Sequence, residues 1–99
     1  MKLYDKSGDD IDLRRRRLHF RAWHRGMREM DLALGRFADA ELRDMTAHDM
    51  DELEALLETP DPDLFDWIIG HSVVPPERNT PLFRRIVEFN RAGKGAQHG

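Results

Sequence analysis

Four proline dipeptides divide the second half of this 99-residue chain into short pieces: Thr59-Pro60, Asp61-Pro62, Pro75-Pro76 and Thr80-Pro81. A residue before proline avoids helical geometry, so Thr59 ends whatever helix precedes it. Asp61 and Thr80 are good N-cap residues, and the proline after each suits a first helical position, where its missing N–H costs nothing. Each pair therefore opens a short helix, and Gly70 and Gly93 close them. Pro75-Pro76 keeps the loop from His71 to Asn79 irregular.

Apolar spacing supplies the remaining elements. A first helix from Ile11 to Ala22 has a blurred pattern of Ile11, Leu13, Leu18, Phe20 and Ala22. A second, opening near Gly26, carries Met27, Met30, Leu34 and Phe37 at helical intervals, with Ala38 and Leu42 extending the stripe. Gly35 within it costs up to about 1 kcal/mol against alanine, unless it admits the close approach of a neighbouring helix. The third starts at Thr46, an N-cap with Asp49 standing where a capping box prefers Glu or Gln. Its stripe is Met50, Leu53, Leu56 and Leu57, and its early acids Asp49, Asp51, Glu52 and Glu54 suit the positive helix pole. Leu64, Phe65, Ile68 and Ile69, with Trp67 beside them, pattern the fourth helix. Leu82, Ile86, Val87 and Phe89 pattern the fifth. No strand-like alternation or internal repeat occurs. The expectation is an all-α, compact five-helix bundle-like domain over residues 11–92, between a flexible leader at 1–10 and a flexible tail at 93–99.

Apolar residues make up 39% and charged residues 35% of the chain, the balance of a charged globular domain rather than a disordered one. A chain of this length buries roughly 60–70% of its unfolded surface, enough for a modest core but not a deep catalytic cavity. The absence of cysteine excludes disulfides, thiolate metal sites and cysteine nucleophiles, and fits a reducing compartment. No segment reaches the roughly 18 apolar residues of a membrane span. Asp5, Asp9, Asp10 and Asp12 near the N-terminus, with no apolar run, match neither a secretory signal nor a transit peptide. Cytoplasmic residence without a membrane partner is expected.

Catalytic groupings are thin. Ser7, Ser72, Thr46, Thr59 and Thr80 are the hydroxyl nucleophile candidates, and helix caps or helix ends account for the threonines. Gly26 and Gly35 are isolated, so no phosphate-cradling loop exists. His19 and His24 are five residues apart, off the spacing that puts two metal ligands on one helical face, and Asp44 and His48 straddle a helix start. The chain is expected to be neither an enzyme nor a metal protein.

The net charge of −3 hides an asymmetry: seven arginines and no acid from Arg14 to Arg28, then eleven acids and one arginine from Asp39 to Asp66. Such a distribution either steers a partner into register or forms two solvated faces. A nucleic-acid grip would use Arg14, Arg15, Arg16 and Arg17 for phosphates, with Phe20 and Trp23 stacking bases. Against it, four consecutive helical residues spread over roughly 300° of the circumference, and the rest of the chain is acidic.

Arg25-Gly26-Met27-Arg28-Glu29 resists a purely local explanation. With a helix starting near Gly26, Arg25 and Arg28 both lie at its positive pole, where cations are unfavourable. Gly26 offers positive φ or an approach without a Cβ. Two readings stand side by side. Arg25 and Glu29 form a surface ion pair worth about 0.3–0.5 kcal/mol, or Arg25 presents its planar fork to a partner's carboxylate or carbonyl while Glu29 accepts from a partner donor.

The stretch Arg25 to Asp31 resembles the RGxxE signature of the succinate dehydrogenase assembly factors. The context follows it: a basic aromatic helix, "RLHFRAWH", upstream; "MDLALGRFADAEL" and the acidic leucine-rich "DELEALLETPDPDLFDWIIG" downstream. Pro62 to Trp67 forms a second family-like block, and the resemblance runs from about Ile11 to Asn90. It implies a monomeric five-helix factor that binds the flavoprotein subunit of succinate dehydrogenase, with fumarate reductase as a further client. It would promote covalent FAD attachment that the client itself catalyses. The same resemblance implies no stably bound cofactor, because FAD belongs to the client. Arg25, Gly26 and Glu29 would be the docking centre, Arg28, Asp31 and Trp23 its neighbours, and Asp66 and Trp67 either supports of the same face or packing residues only. An antitoxin-type module or a nucleic-acid binder is the alternative.

Overall fold

The structure is a computed structural model that describes residues 6–95, with side chains from Asp10 onward. Five α-helices follow one another: α1 (Lys6–Trp23), α2 (Arg28–Glu41), α3 (Ala47–Leu57), α4 (Asp61–Ile69) and α5 (Pro81–Arg91). Single 3-10 turns occur at Leu42–Asp44 and, inside the proline loop, at Pro76–Arg78. No strand occurs among the described residues. The all-α expectation is met.

One stripe from each helix meets in a common core: Leu18 and Ala22 of α1, Met30, Leu34 and Phe37 of α2, the expected four residues of α3, Leu64 and Ile68 of α4, and Leu82, Phe83 and Ile86 of α5. Phe83 and Met45 are core residues outside the expected stripes. Ile11, Leu13 and Phe20, the residues that blurred the first pattern, are exposed. α1 begins at Lys6 rather than Ile11, so residues 6–10 of the expected leader are its first turns. Periodicity registers only the buried face. A helix nucleated on a core propagates beyond that face at little cost. At the other end, Lys94 N–H reaches the Phe89 carbonyl at 3.3 Å and Arg36 Nη1 donates to the Gly95 carbonyl at 3.1 Å, so the start of the expected tail is held. Residues 1–5 and 96–99 lie outside the described residues.

Caps set the helix ends largely where the sequence places them. Thr46 Oγ1 accepts from Asp49 N–H at 3.0 Å while Asp49 Oδ2 accepts from Thr46 N–H at 3.2 Å, a complete capping box. Thr80 Oγ1 accepts from Phe83 N–H at 3.1 Å. Gly70, at φ +81°, closes α4. Asp61 departs from expectation. It is the first residue of α4, after Pro60 as N-cap, and its carboxylate is engaged elsewhere. α2 likewise starts later than expected, at Arg28 after an extended Met27 with no side-chain cap.

The opposed charge blocks fold onto each other. Arg14 Nε and Nη2 bind both oxygens of Glu54 at 2.9 and 3.0 Å, and Nη2 also reaches Asp51. Arg21 binds Glu58 at 2.7 Å and Arg25 binds Asp61 at 2.8 Å. The residue numbers rise together on both sides, so α1 and α3 run in the same direction with α2 returning between them. Arg15 donates to the carbonyls of Leu42 and Met45, both at 3.2 Å.

Gly35 admits a close neighbour, as one reading of its place in α2 required. That neighbour is the Trp23 ring at the end of α1, which a Cβ at Gly35 would strike. The indole N–H of Trp23 donates to Asp39 Oδ1 at 3.1 Å, and His19 Nε2 lies 2.6 Å from the same oxygen. Burial opposes the Asp39 charge, but the hydrogen bonds from His19 and Trp23 outweigh it and hold the carboxyl below its ordinary value.

Gly35→Ala gains helix propensity but overpacks the Trp23 contact, and a net loss of about 1–3 kcal/mol is expected in urea denaturation. Adding Trp23→Leu recovers part of that loss; a Gly35→Ala protein as stable as the parent refutes the packing argument. Asp39 has a folded pKa below its unfolded one. Its contribution is therefore present at neutral pH and disappears as pH falls through the depressed value. Asp39→Asn is expected to be less stable than the parent at pH 7, with the gap closing below about pH 4. A gap that stays constant down to pH 3 contradicts this assignment.

Candidate docking site

Between the ends of α1 and α2 the chain reverses through His24, Arg25, Gly26 and Met27. Gly26 has φ +94°, a conformation that side chains disfavour, and no atom lies within 4 Å of where its Cβ would stand. The side above it is open. Asp31, one turn into α2, folds back so that Oδ1 accepts from the Arg25 main-chain N–H at 2.6 Å. That bond satisfies a loop donor and fixes the approach to α2.

The Arg25 side chain turns inward. Nε donates to Asp61 Oδ1 at 2.8 Å, Nη1 to the Leu57 carbonyl at 2.7 Å and Nη2 to the Thr59 carbonyl at 2.8 Å. The guanidinium thus sits against the C-terminal carbonyls of α3, a negative pole, and against the first residue of α4. Only 11% of its side chain is exposed, and 15% of Asp61's. This corrects the electrostatic reading made from sequence. Arg25 is not a cation stranded at the positive pole of α2, nor is it paired with Glu29. Its fork is spent on the chain's own acceptors.

Arg28 and Glu29 are different. Both are exposed in the first turn of α2, and neither has a hydrogen-bond or ion-pair partner among the described residues. Glu29 stands at the lip of a groove of about 320 Å³ between α4 and α5, walled by Phe65, Trp67, Ile68 and Val87, with Asn90 and Arg91 on the α5 side. Ile69, also on the groove, is 45% exposed. Trp67 thus shares the face of Glu29. Trp23 does not: it lines a separate, open depression between α1 and the end of α2, together with Arg16, Phe20, His24 and Arg43. Of the six expected docking residues, the fold brings Arg25 and Asp31 together as internal braces and leaves Gly26, Arg28 and Glu29 outward. Trp23 is placed elsewhere.

The α5 wall was not foreseen. Val87 and Arg91 are remote in sequence from Glu29, and only the apolar surplus of α4, where Phe65, Trp67, Ile68 and Ile69 crowd around Asp66, signals more hydrophobic surface than one buried stripe requires. The arginine run is largely consumed within the fold. Arg14, Arg15, Arg21 and Arg25 hold internal acceptors, and Arg16, Arg17 and Arg28 have none among the described residues. No three His, Asp or Glu side chains are gathered to hold a metal ion among the described residues. No helix among them is long and apolar enough to cross a membrane.

Comparison with known proteins places this arrangement in context. A family described as "Flavinator of succinate dehydrogenase" matches residues 16–90. An "FAD assembly factor SdhE" of Acetobacter pasteurianus is 46% identical over 88% of this chain and 80% of its own length. A second, from Coxiella burnetii, is 40% identical over 64% of this chain and 72% of its own. The mitochondrial "Succinate dehydrogenase assembly factor 2" of Dictyostelium discoideum is 35% identical over 78% of this chain but only 55% of its own length. The matched span contains every helix stripe, the Arg25–Asp61 brace and both walls of the groove, and the chain belongs to the family of succinate dehydrogenase flavinators.

Proposed function

We propose that the protein is an assembly factor that binds the flavoprotein subunit of succinate dehydrogenase and promotes its covalent attachment of FAD. The observation that carries this reading, beyond family membership, is Glu29: an exposed carboxylate without an internal partner, at the lip of an apolar groove containing Trp67. An apolar pocket edged by a free charge suits a segment of folded protein that offers an apolar side chain and a donor. Gly26 adds an open stretch of backbone beside it, where a partner main chain approaches without meeting a Cβ.

The factor acts on this reading by differential binding. It prefers the client conformer in which the flavin and the accepting side chain are in register, and so raises the population of that conformer. The chain supplies no acid, base or nucleophile to the reaction and holds no flavin of its own. It works as a monomer in the compartment where the flavoprotein matures, the cytoplasm of a bacterial cell, and fumarate reductase is a second client by the same surface.

Glu29→Ala tests the reading. Glu29 is exposed and unbraced, so its removal is expected to change stability by no more than about 0.5 kcal/mol. Capture of the succinate dehydrogenase flavoprotein is expected to fall by roughly tenfold or more, together with in-gel fluorescence of its covalent flavin. Normal capture and normal flavin attachment by a folded Glu29→Ala protein would overturn the proposal. Gly26→Arg, whose side chain enters open space, is expected to lose capture as well, at a folding cost of about 1–2 kcal/mol for the left-handed backbone.

A further inference from the structure

We infer that Arg25 is a positioning residue: it governs client binding without touching the client, by fixing α4 and its wall of the groove relative to Glu29. The inference rests on the docking role of the Glu29 groove proposed above. Its basis is the three-point contact of one guanidinium with Asp61, Leu57 and Thr59, all on the α3–α4 junction. Arg25 is anchored at its other end too, through its main-chain N–H to Asp31 in α2. A single residue therefore ties the start of α2, which bears Glu29, to the start of α4, which bears Phe65 and Trp67.

That tie matters because α4 is short and otherwise packs chiefly on α5. Its other end runs out through Gly70 into the proline loop. A helix behaves as a short rod, so moving its first turn moves Phe65 and Trp67, which lie one and two turns on. Glu29 belongs to a different element, and nothing else at the lip holds it: it has no partner of its own among the described residues. The distance between the exposed carboxylate and the aromatic wall is thus set by Arg25 together with the packing of α2 and α4 on α5. Arginine is required chemically. Its planar fork spreads three donors over a carboxylate and two diverging carbonyls, and a lysine offers one nitrogen. With 11% of the side chain exposed and these donors engaged, little of Arg25 is presented to a partner.

The test compares Arg25→Lys, Asp61→Ala, their combination and Glu29→Ala in the full-length protein. Each is read by urea denaturation, by affinity for the purified succinate dehydrogenase flavoprotein, and by the indole ¹H–¹⁵N resonance of Trp67. Arg25→Lys and Asp61→Ala are each expected to weaken the client by roughly tenfold while shifting the Trp67 indole signal in the free protein. The combined variant should lose no more than the worse of the two, because both break one brace. A merely destabilising change would move the urea midpoint and leave the free Trp67 signal of the folded protein in place. A measurement without mutation guards against misfolded variants: in the parent protein, client addition should shift the Trp67 indole signal and leave the Arg25 Nε–H signal unperturbed. Client binding that is lost in Arg25→Lys but normal in Asp61→Ala, or an Arg25 Nε–H signal that moves on client addition, overturns the inference in favour of direct contact. Normal affinity in both brace variants alongside loss in Glu29→Ala overturns it while leaving the docking site standing. Normal affinity in Glu29→Ala itself defeats the docking proposal instead.

Discussion

A seam of arginine–carboxylate pairs holds α1 alongside α3, and the register of the fold follows from it. Arg14 meets Glu54 and Asp51, Arg21 meets Glu58, and Arg25 meets Asp61. The first two arginines are partly exposed, and pairs of that kind contribute little individually because water screens them. The last is largely shielded from water on both sides, where the cost of desolvating two charges can exceed what their mutual attraction returns. Here the two carbonyl acceptors at the end of α3 help offset that cost, since charge-assisted hydrogen bonds are the stronger kind. What the seam contributes is specificity. Sliding α1 by one turn would set Arg14 and Arg21 against the wrong acids and take the Arg25 fork away from its acceptors.

The two charge blocks therefore do not make a steering dipole for some distant partner. Most of their charge is answered within the chain, and this also weakens the case for nucleic acid: a duplex would have to compete with Glu54, Glu58 and Asp61 for the same guanidiniums. The charges left over among the described residues include Arg16 and Arg17 on α1 and the pair at the start of α2. Arg28 and Glu29 project from the uncapped first turn of α2, while Asp31 beside them is turned back to the loop. The short motif divides its labour in this way. Arg25 and Asp31 build the corner, Gly26 turns it, and Arg28 and Glu29 stay exposed.

Much of the architecture was legible because it is written in local chemistry. Thr46 and Thr80 cap through bonds to residues three positions on, and Gly70 closes α4 with its own backbone. Such signals need no knowledge of the rest of the chain. What was not legible depends on contacts distant in sequence. Asp61 looked like an N-cap by every local criterion and failed to cap because Arg25, remote in sequence, claims its carboxylate. The polar start of α1 was invisible for the opposite reason: Lys6, Ser7, Gly8, Asp9 and Asp10 hold no apolar residue, so they leave no periodic mark. Gly35 was readable as a question, and only the arrival of Trp23 answered it. The groove was half readable. The surplus apolar residues of α4 announced uncovered surface, but Val87 on the facing wall could be identified only after α5 had packed.

The size of the molecule bears on how it would work. A standard interface takes roughly 800 Å² from each partner, about an eighth of the 6106 Å² this chain exposes. The groove, at about 320 Å³, has room for one or two side chains. An interface of standard size would then extend well beyond the groove, and in such an interface a few well-held contacts dominate affinity. An assembly factor has to leave its client, so a small anchor with a sharply defined geometry is better suited than an extensive apolar face. Geometry of that kind has to be enforced from beneath, and in α4 the core residues Leu64 and Ile68 supply part of that support. Arg25, largely buried and bonded to three acceptors at the α3–α4 junction, is such a support beside the packing of α4 on α5.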